Sequence, residues 1–519
     1  MTLPAPRFKM TLKKLFAGYA PIAAAAADIA IRDMKVDSRQ VHPGDLFVAL
    51  RGEEMDGAAF INKAVERGAV AVVIDASQAE VANDCAVPVI RMDNIKAQLG
   101  DLADRFFLHP SQQLCVVGIT GTNGKTSCCQ YLAQSLLAVN VRCGVIGTLG
   151  WGEVGALKKT GNTTPDVISV HRMLAHFVAA EYKVVAMEVS SHGLDQQRVN
   201  GVRFDTAVFT NLTRDHLDYH QTMALYGTTK RKLFDMQGIK HAVLNVDDNF
   251  GQALYQELKN NENHNLQTLG FGFDPDSGVD ADVSASKIQL SASGVLARIS
   301  SPWGEGILSS PLLGRFNLSN LLTVFSVLCL QGVSMDKALA VIASLENAPG
   351  RMQRYGGQGL PTVVVDYAHT PDALMLALAA LRECSDENLI CVFGCGGERD
   401  RGKRAQMGGV AERFSDHVIL TNDNPRRESD RAIIDDILEG ITRPANVRVC
   451  KDRAEAIRLA VDMAEMNDVV LVAGKGHEDY QEASGARMAF CDGEQVKQAL
   501  NIKSRKMKGA IDRNSGRES

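Results

Sequence analysis

The segment Leu114–Ser127, LCVVGITGTNGKTS, runs from apolar residues into a glycine-rich loop ending Gly124-Lys125-Thr126. Such a loop between a strand and a helix can hold a nucleotide's phosphates. The free N–H groups and positive end of the following helix attract anions, Lys125 reaches the outer phosphates, and the Thr126 hydroxyl can ligate Mg²⁺. Gly121 and Gly124 let the backbone approach closely, and Thr122, Asn123 and Ser127 complete the loop. The spacing departs from the common phosphate-loop pattern, because Gly121 and Gly124 enclose only two residues. Further along, VVAMEVSSHG sets Glu188 near the end of an apolar run, where a carboxylate suits Mg²⁺. Read alone, Glu188 would more simply pair with a neighbouring cation. The run TNLTRDHLDYH gathers Arg214, Asp215, His216, Asp218 and His220 behind another apolar run. Zinc is disfavoured there, since the histidines have neither partnered cysteines nor HExxH spacing. Lys230, in YGTTKRK, reads on composition alone as a solvated helix residue.

These residues need elements to hold them. The chain has 519 residues, which at roughly 150 residues per domain means about three domains. Short strands at Asp45–Leu50, Ala69–Ile74 and Val87–Met92 alternate with helical patterns, giving a small N-terminal α/β domain closed by His109-Pro110. From residue 113 the strand candidates Leu114–Thr120, Val141–Ile146, Lys183–Val189, Thr206–Leu212 and Ala242–Val246 alternate with helices, the pattern of a parallel sheet with helices on both faces. Asn162-Thr163-Thr164-Pro165 closes a polar loop starting at Gly150, on the side where ligands of such sheets gather. Antiparallel strands follow over Val283–Pro311, then an apolar helix over Leu318–Gln331 and a break at Ala348-Pro349-Gly350. A second α/β series has strands at Thr362–Tyr367, Leu389–Gly394, His417–Asn422, Val447–Cys450 and Val469–Ala473. The expected fold is therefore α/β in three domains, 1–111, 112–347 and 348–502, with a basic, disordered tail at 503–519.

Composition narrows the function classes. Net charge is -5 with charged residues evenly spread, so no large basic surface points to nucleic acid. Eleven cysteines occur without CxxC pairs, and several lie in apolar runs, which favours buried thiols and no disulfides. The stretch LFAGYAPIAAAAADIA follows Lys13 and Lys14, yet Gly18, Tyr19 and Pro21 interrupt it and it reads as part of the fold, not as a signal peptide. No window approaches the roughly 20 apolar residues of a membrane span. A cytoplasmic protein without membrane insertion is expected.

Taken together, GTNGKT (121–126), NTTP (162–165), MEVSSHGL (187–194), TNLTRDHLDYH (210–220), GRFNLSN (314–320), VDYAHTPDAL (365–374), FGCGGERDRGKR (393–404), DNPR (423–426) and GKGHEDY (474–480) resemble the Mur ligases. Asp37-Ser38-Arg39 and GDLFVALRG extend the resemblance into the N-terminal domain. The short phosphate loop is that family's own form. The resemblance implies a central phosphate-loop domain, a nucleotide-sugar domain before it and a Rossmann-like ligase domain after it. It implies that ATP phosphorylates the D-glutamate γ-carboxylate of UDP-MurNAc-L-Ala-D-Glu, and that an amine attacks the acyl phosphate to leave ADP and phosphate. Lys125, Glu188, His216 and Lys230 are then the catalytic residues. Thr126 and Glu188 would hold one Mg²⁺ and His216 with Lys230 a second, Lys230 being carbamylated by CO₂. Asn317 would contact adenine, with Arg351 and Asp366 nearer ribose and phosphate. Val36 and Ser38 would bind uridine, and Asn162, Thr163, Thr164, Ser190, Gln196 and Arg198 the rest of that substrate.

The incoming amino acid would be meso-diaminopimelate, bound by Arg399, Asp423, Asn424, Pro425, Arg426, Gly474 and Glu478. Its far end carries a carboxylate and an ammonium, and Arg426 with Glu478 supplies the opposite pair of charges. Lysine-adding relatives typically lack that arginine. A monomer acting on small molecules is expected. The rival readings are a lysine-adding ligase of the same family, a folylpolyglutamate-synthetase-like ligase, and a protein that senses ATP without ligating anything.

Overall fold

A computed structural model describes residues 8–51, 56–77, 84–261, 266–273, 281–291, 293–357, 359–383, 385 and 387–515. The chain divides into two compact units. The first comprises Met1–Thr120, Asn140–Ala207 and Thr229–Ala242; the second comprises Gly121–Val139, Val208–Thr228 and Val243–Ser519. The strands Thr206–Phe209 and His241–Asn245 and the helix Met223–Arg231 are each cut by that division.

In the first unit, Asp33–Lys35, Asp45–Ala49, Ala71–Asp75 and Val89–Met92 pair in parallel in chain order. Alternation decides which side each residue serves. Leu46, Val48, Ala71 and Val73 pack with the helix Ile95–Phe106, whereas Phe47, Ala49, Val72 and Ile74 pack with Ile61 and Ala64. The same unit holds Cys115–Thr120 beside Val184–Glu188 and that strand beside Cys143–Gly147, all parallel. Their unbroken apolar runs are those of strands covered on both faces. Gly150–Gly152 returns antiparallel along Cys143–Gly147, so the expected polar loop opens with a strand.

In the second unit, Val283–Ser291, Gly294–Ser301 and Gly304–Ser310 form the expected antiparallel ladder. The apolar helix runs Arg315–Leu330. A six-stranded sheet follows, with Leu360–Asp366, Val469–Ala473, Leu389–Phe393, His417–Leu420 and Val447–Val449 parallel in that spatial order and Gln353–Gly357 antiparallel at the edge. Val364, Cys391, Phe393, Leu420 and Leu471 pack against the helices Pro371–Arg382, Gly402–Phe414 and Asp430–Leu438. Their neighbours Val363, Val365, Ile390, Val392 and Val470 face Arg453–Met463 and the last helix. This is a doubly wound α/β layer with helices on both faces.

Over 503–515 the expectation of a disordered tail is corrected by that last helix, which runs Asp492–Ser515, and 516–519 lie outside the described residues. Lys503 Nζ donates to the carbonyls of Val461, Asp462 and Ala464 at 3.0, 3.2 and 2.6 Å, and Lys506 Nζ pairs with Asp462 at 3.1 Å. Basic residues that looked merely solvated therefore satisfy carbonyls at the C-terminal end of the Arg453–Met463 helix.

Candidate functional site

In the second unit, Gly121–Gly124 leads into the helix Lys125–Ala138. Gly124 caps it at φ +87°, and a Cβ there would lie 2.5 Å from Asn320 Oδ1. Gly124→Ala is thus expected to lose at least about 1 kcal/mol of stability from left-handed strain alone, as urea denaturation would show. Lys125 Nζ donates to the carbonyls of Gly121 and Thr122 at 2.7 and 2.8 Å, so the ammonium sits over the loop's own concavity. The loop is held from its flank, since Asn123 N donates to Asn211 Oδ1 at 2.9 Å and Thr210 Oγ1 to Asn123 O at 2.6 Å. Thr126 Oγ1 accepts from Arg351 at 3.2 Å. The Arg351 guanidinium lies 4.5 Å from the Tyr367 ring centroid, and its Nε is buried with no hydrogen-bond partner. Asp366 accepts from Met352 N at 2.7 Å, and burial pushes its carboxyl above the usual range despite Arg351. Asn317 is buried, and its amide bonds Leu313 O, Asn320 and Tyr131. Ser127 is buried in the first turn of the helix.

Beside the loop stands a charge cluster that the sequence motifs contained but did not join. Asp215 Oδ2 lies 3.4 Å from His216 Nε2 and 3.6 Å from His369 Nε2, and Oδ1 lies 3.7 Å from Lys403 Nζ. Burial alone would raise the Asp215 carboxyl, but His369, His216 and Lys403 outweigh it and hold it well below the usual range. Asp372 Oδ2 accepts from Asn123 Nδ2 at 3.2 Å, and burial raises that carboxyl. His369 and Asp372 belong to VDYAHTPDAL and Lys403 to FGCGGERDRGKR, so the motifs contained these side chains without singling them out.

In the first unit, Glu188 is 1% exposed. Its Oε1 accepts from Thr148 N at 2.8 Å and its Oε2 from Thr148 Oγ1 at 3.0 Å, an approach that Gly147 permits because a Cβ there would sit 2.2 Å from Oε1. Thr164 Oγ1 donates to Glu188 O at 2.9 Å and accepts from Ser190 N at 3.0 Å. Arg198 donates to Thr164 O at 2.8 Å and also to Gln196 Oε1. Thr163 Oγ1 lies 3.0 Å from Thr148 Oγ1. The structure thus brings Thr163, Thr164, Ser190, Gln196 and Arg198 around Glu188, with Asn162 exposed on the loop. Ser38 is buried at the start of a short helical turn that Asp37 caps, next to half-buried Val36. Lys230, expected to be solvated on composition, is 1% exposed. An ordinary lysine is costly to bury as a cation, so this position is not a bland one.

The third cluster joins two loops of the six-stranded sheet. Arg426, at φ +54°, donates through its guanidinium to Gly397 O at 2.6 Å, and Gly397 N donates to Asn424 O at 2.9 Å. A Cβ at Gly396 would lie 3.0 Å from Arg426 and 3.7 Å from exposed Arg399, so both side chains flank that glycine. Asp423 Oδ2 faces Gly474, 2.8 Å from where a Cβ would stand. Glu478 Oε2 accepts from Lys475 Nζ at 2.7 Å and from Asn424 Nδ2 at 2.8 Å. Beneath the loops Arg404, fully buried, pairs with Glu428 at 2.7 Å and Asp436 at 2.8 Å, and Arg404 holds the Glu428 carboxyl down at about 2.

Three family models match the chain: the Mur ligase family catalytic domain over 30–107, the Mur ligase middle domain over 119–328, and the Mur ligase glutamate ligase domain over 350–476. The UDP-N-acetylmuramoyl-L-alanyl-D-glutamate–2,6-diaminopimelate ligase of Coxiella burnetii is 49% identical over 481 residues, covering 92% of this chain and 97% of that one. This chain belongs to the Mur ligase family. A solved structure of a UDP-N-acetylmuramoyl-L-alanyl-D-glutamate–2,6-diaminopimelate ligase aligns with TM-score 0.68 and 32% identity over 96% of this chain and 99% of that one. The MurF ligase of Thermotoga maritima, solved in complex with ADP, shares the fold at TM-score 0.63 and 20% identity, over 92% of this chain and 98% of that one.

Membership raises the question of Mg²⁺. Among the described residues no three or more His, Cys, Asp or Glu side chains gather as a metal cage. Buried Glu188 in the first unit and the Thr126 hydroxyl in the second are each oxygen donors of the hard kind that suits Mg²⁺.

One residue of GKGHE is a largely buried histidine. Burial and the Arg351 charge push His477 down to about 3, and its Nδ1 is buried with no hydrogen-bond partner. The unfolded chain takes up that proton near the ordinary histidine value of about 6.5, so unfolding gains a proton below it and stability falls with pH from there towards about 3. His477→Gln is expected to flatten this fall, as denaturation midpoints between pH 4 and 7 would show.

Proposed function

We propose that this Mur ligase joins meso-2,6-diaminopimelate to the D-glutamate γ-carboxylate of UDP-MurNAc-L-Ala-D-Glu, using ATP and Mg²⁺ and releasing ADP and phosphate, in peptidoglycan precursor synthesis in the cytoplasm. A carboxylate is a poor electrophile, so converting it to an acyl phosphate divides one hard step into two feasible ones. The observation that carries the reading is the relative that is 49% identical over nearly its whole length and bears that activity as its name. The charge pattern around DNPR supports it, because Arg399 and Arg426 flank one glycine while Glu478 stands across the neighbouring loop. Two cations and a carboxylate suit an amino-acid head better than they suit a bare amine. Among the described residues no helix is long and apolar enough to cross a membrane.

In this reading Lys125 and the loop amides bind the phosphates, Arg351 and Asp366 lie along the nucleotide, and Thr164, Ser190, Gln196 and Arg198 hold the nucleotide-sugar peptide. Thr126 and Glu188 would hold one Mg²⁺, and His216 with Lys230 as a carbamate a second. Bound there, Mg²⁺ would supply charge neutralisation for phosphoryl transfer. Domains of 1–111, 112–347 and 348–502 bind nucleotide sugar, ATP and amino acid, and the protein works as a monomer.

Mass spectrometry of the product tests the proposal. Addition of one diaminopimelate residue to the nucleotide-sugar dipeptide, dependent on ATP, is expected; ATP hydrolysis with no ligated product contradicts it. Lys230→Ala is expected to abolish ligation, with partial rescue by a short carboxylic acid. Full activity in that variant would remove Lys230 from the metal set.

A further inference from the structure

Lys475 is fully buried, and its ammonium is spent in three directions. Nζ donates to Glu478 Oε2 at 2.7 Å and to Asn424 Oδ1 at 3.0 Å, and it lies 5.4 Å from the Tyr480 ring centroid. Asn424 is consumed in the same network, since its Oδ1 also accepts from Glu482 N at 2.9 Å and its Nδ2 donates to Glu478 Oε2. One Glu478 oxygen therefore carries both protein donors, and Oε1 receives no hydrogen bond among the described residues. Two rigid donors on one oxygen fix the carboxylate's rotation and leave the other oxygen as its acceptor for a ligand.

The surrounding charges are of both signs. Arg453 is neutralised by Asp492 at 2.7 Å and Arg487 by Glu482 at 3.2 Å. That leaves Arg426, Lys475 and exposed Arg399 with Asp423 and Glu478. A site with cations and carboxylates together suits an amino-acid head, which carries a carboxylate and an ammonium. The lone ammonium at the end of a lysine side chain leaves those cations without a partner.

We propose that Lys475 is a positioning and specificity-determining residue: it orients Glu478 and sets the charge that favours a zwitterionic head over a bare ammonium. This rests on the proposed amino-acid-adding function. Lys475→Met removes one positive charge at nearly constant volume, leaving Glu478 without its buried cation and free to rotate. The kcat/KM ratio for meso-diaminopimelate over L-lysine is expected to fall at least tenfold. Most of the change should appear in KM for the amino acid, with KM for ATP and for the nucleotide-sugar dipeptide within twofold of wild type. Should Lys475→Met fail to fold, Lys475→Gln carries the same charge test, because its amide can still donate to Glu478. A selective wild type with an equally selective variant, or a KM for ATP that rises alongside, overturns the proposal alone. A wild type that uses both amines equally overturns the underlying reading as well.

Discussion

Lys125→Ala is expected to lower ATP-dependent ligation on the order of 10²–10³-fold or more, the cost of removing one preorganised donor from a charged transition state. Its ammonium donates to the carbonyls of Gly121 and Thr122, in the loop where phosphates would sit. Lys125 opens a helix and lies in no strand, so the variant should melt like wild type. Binding of ATP followed by calorimetry, with far-ultraviolet dichroism as the control for folding, separates a lost phosphate contact from a lost fold. An alanine variant that ligates at the wild-type rate would show that this loop does not carry the chemistry.

Arg453→Ala is expected to cost about 3–5 kcal/mol, because it leaves the Asp492 carboxylate buried and alone. Both residues are fully buried, and the guanidinium meets both Asp492 oxygens at 2.7 Å. The same guanidinium donates to Ala473 O at 2.9 Å and reaches Asn422 O at 3.5 Å. Those carbonyls end the strand before GKGHE and precede DNPR, so one side chain ties the bases of both amino-acid loops. Urea denaturation measures the stability loss, and KM for the amino acid should rise with it. The paired change Arg453→Met with Asp492→Leu removes both charges and should recover most of the stability, since a buried ion pair can be exchanged for apolar packing. A loss below about 1 kcal/mol in the single variant would contradict this account.

Much of the fold was legible because its signals are local. Val469–Ala473 is an unbroken apolar run bounded by polar residues, and such runs name parallel strands without further help. The phosphate loop was legible for the same reason, as all its chemistry lies within a few residues. What escaped were partnerships between distant segments. Asp215 lies more than a hundred residues before His369 and Lys403, and no spacing rule joins them. The pairing of Arg404 with Glu428 and the burial of Lys230 escaped for the same reason. The terminal segment misled because its composition is that of a solvated chain, whereas Lys503 finds three carbonyls on a neighbouring helix. Lys475 lay inside a motif that was read for its glycine and glutamate, and only the geometry shows which oxygen of Glu478 it takes.

The most direct test of the central claim is phosphate release from ATP with Mg²⁺ and UDP-MurNAc-L-Ala-D-Glu, comparing meso-diaminopimelate, L-lysine and no amine. Release that depends on diaminopimelate, with little from lysine, is the predicted result. Equal release with lysine would overturn the role given to Arg426 and Glu478, and release indifferent to any amine would contradict the ligase reading itself.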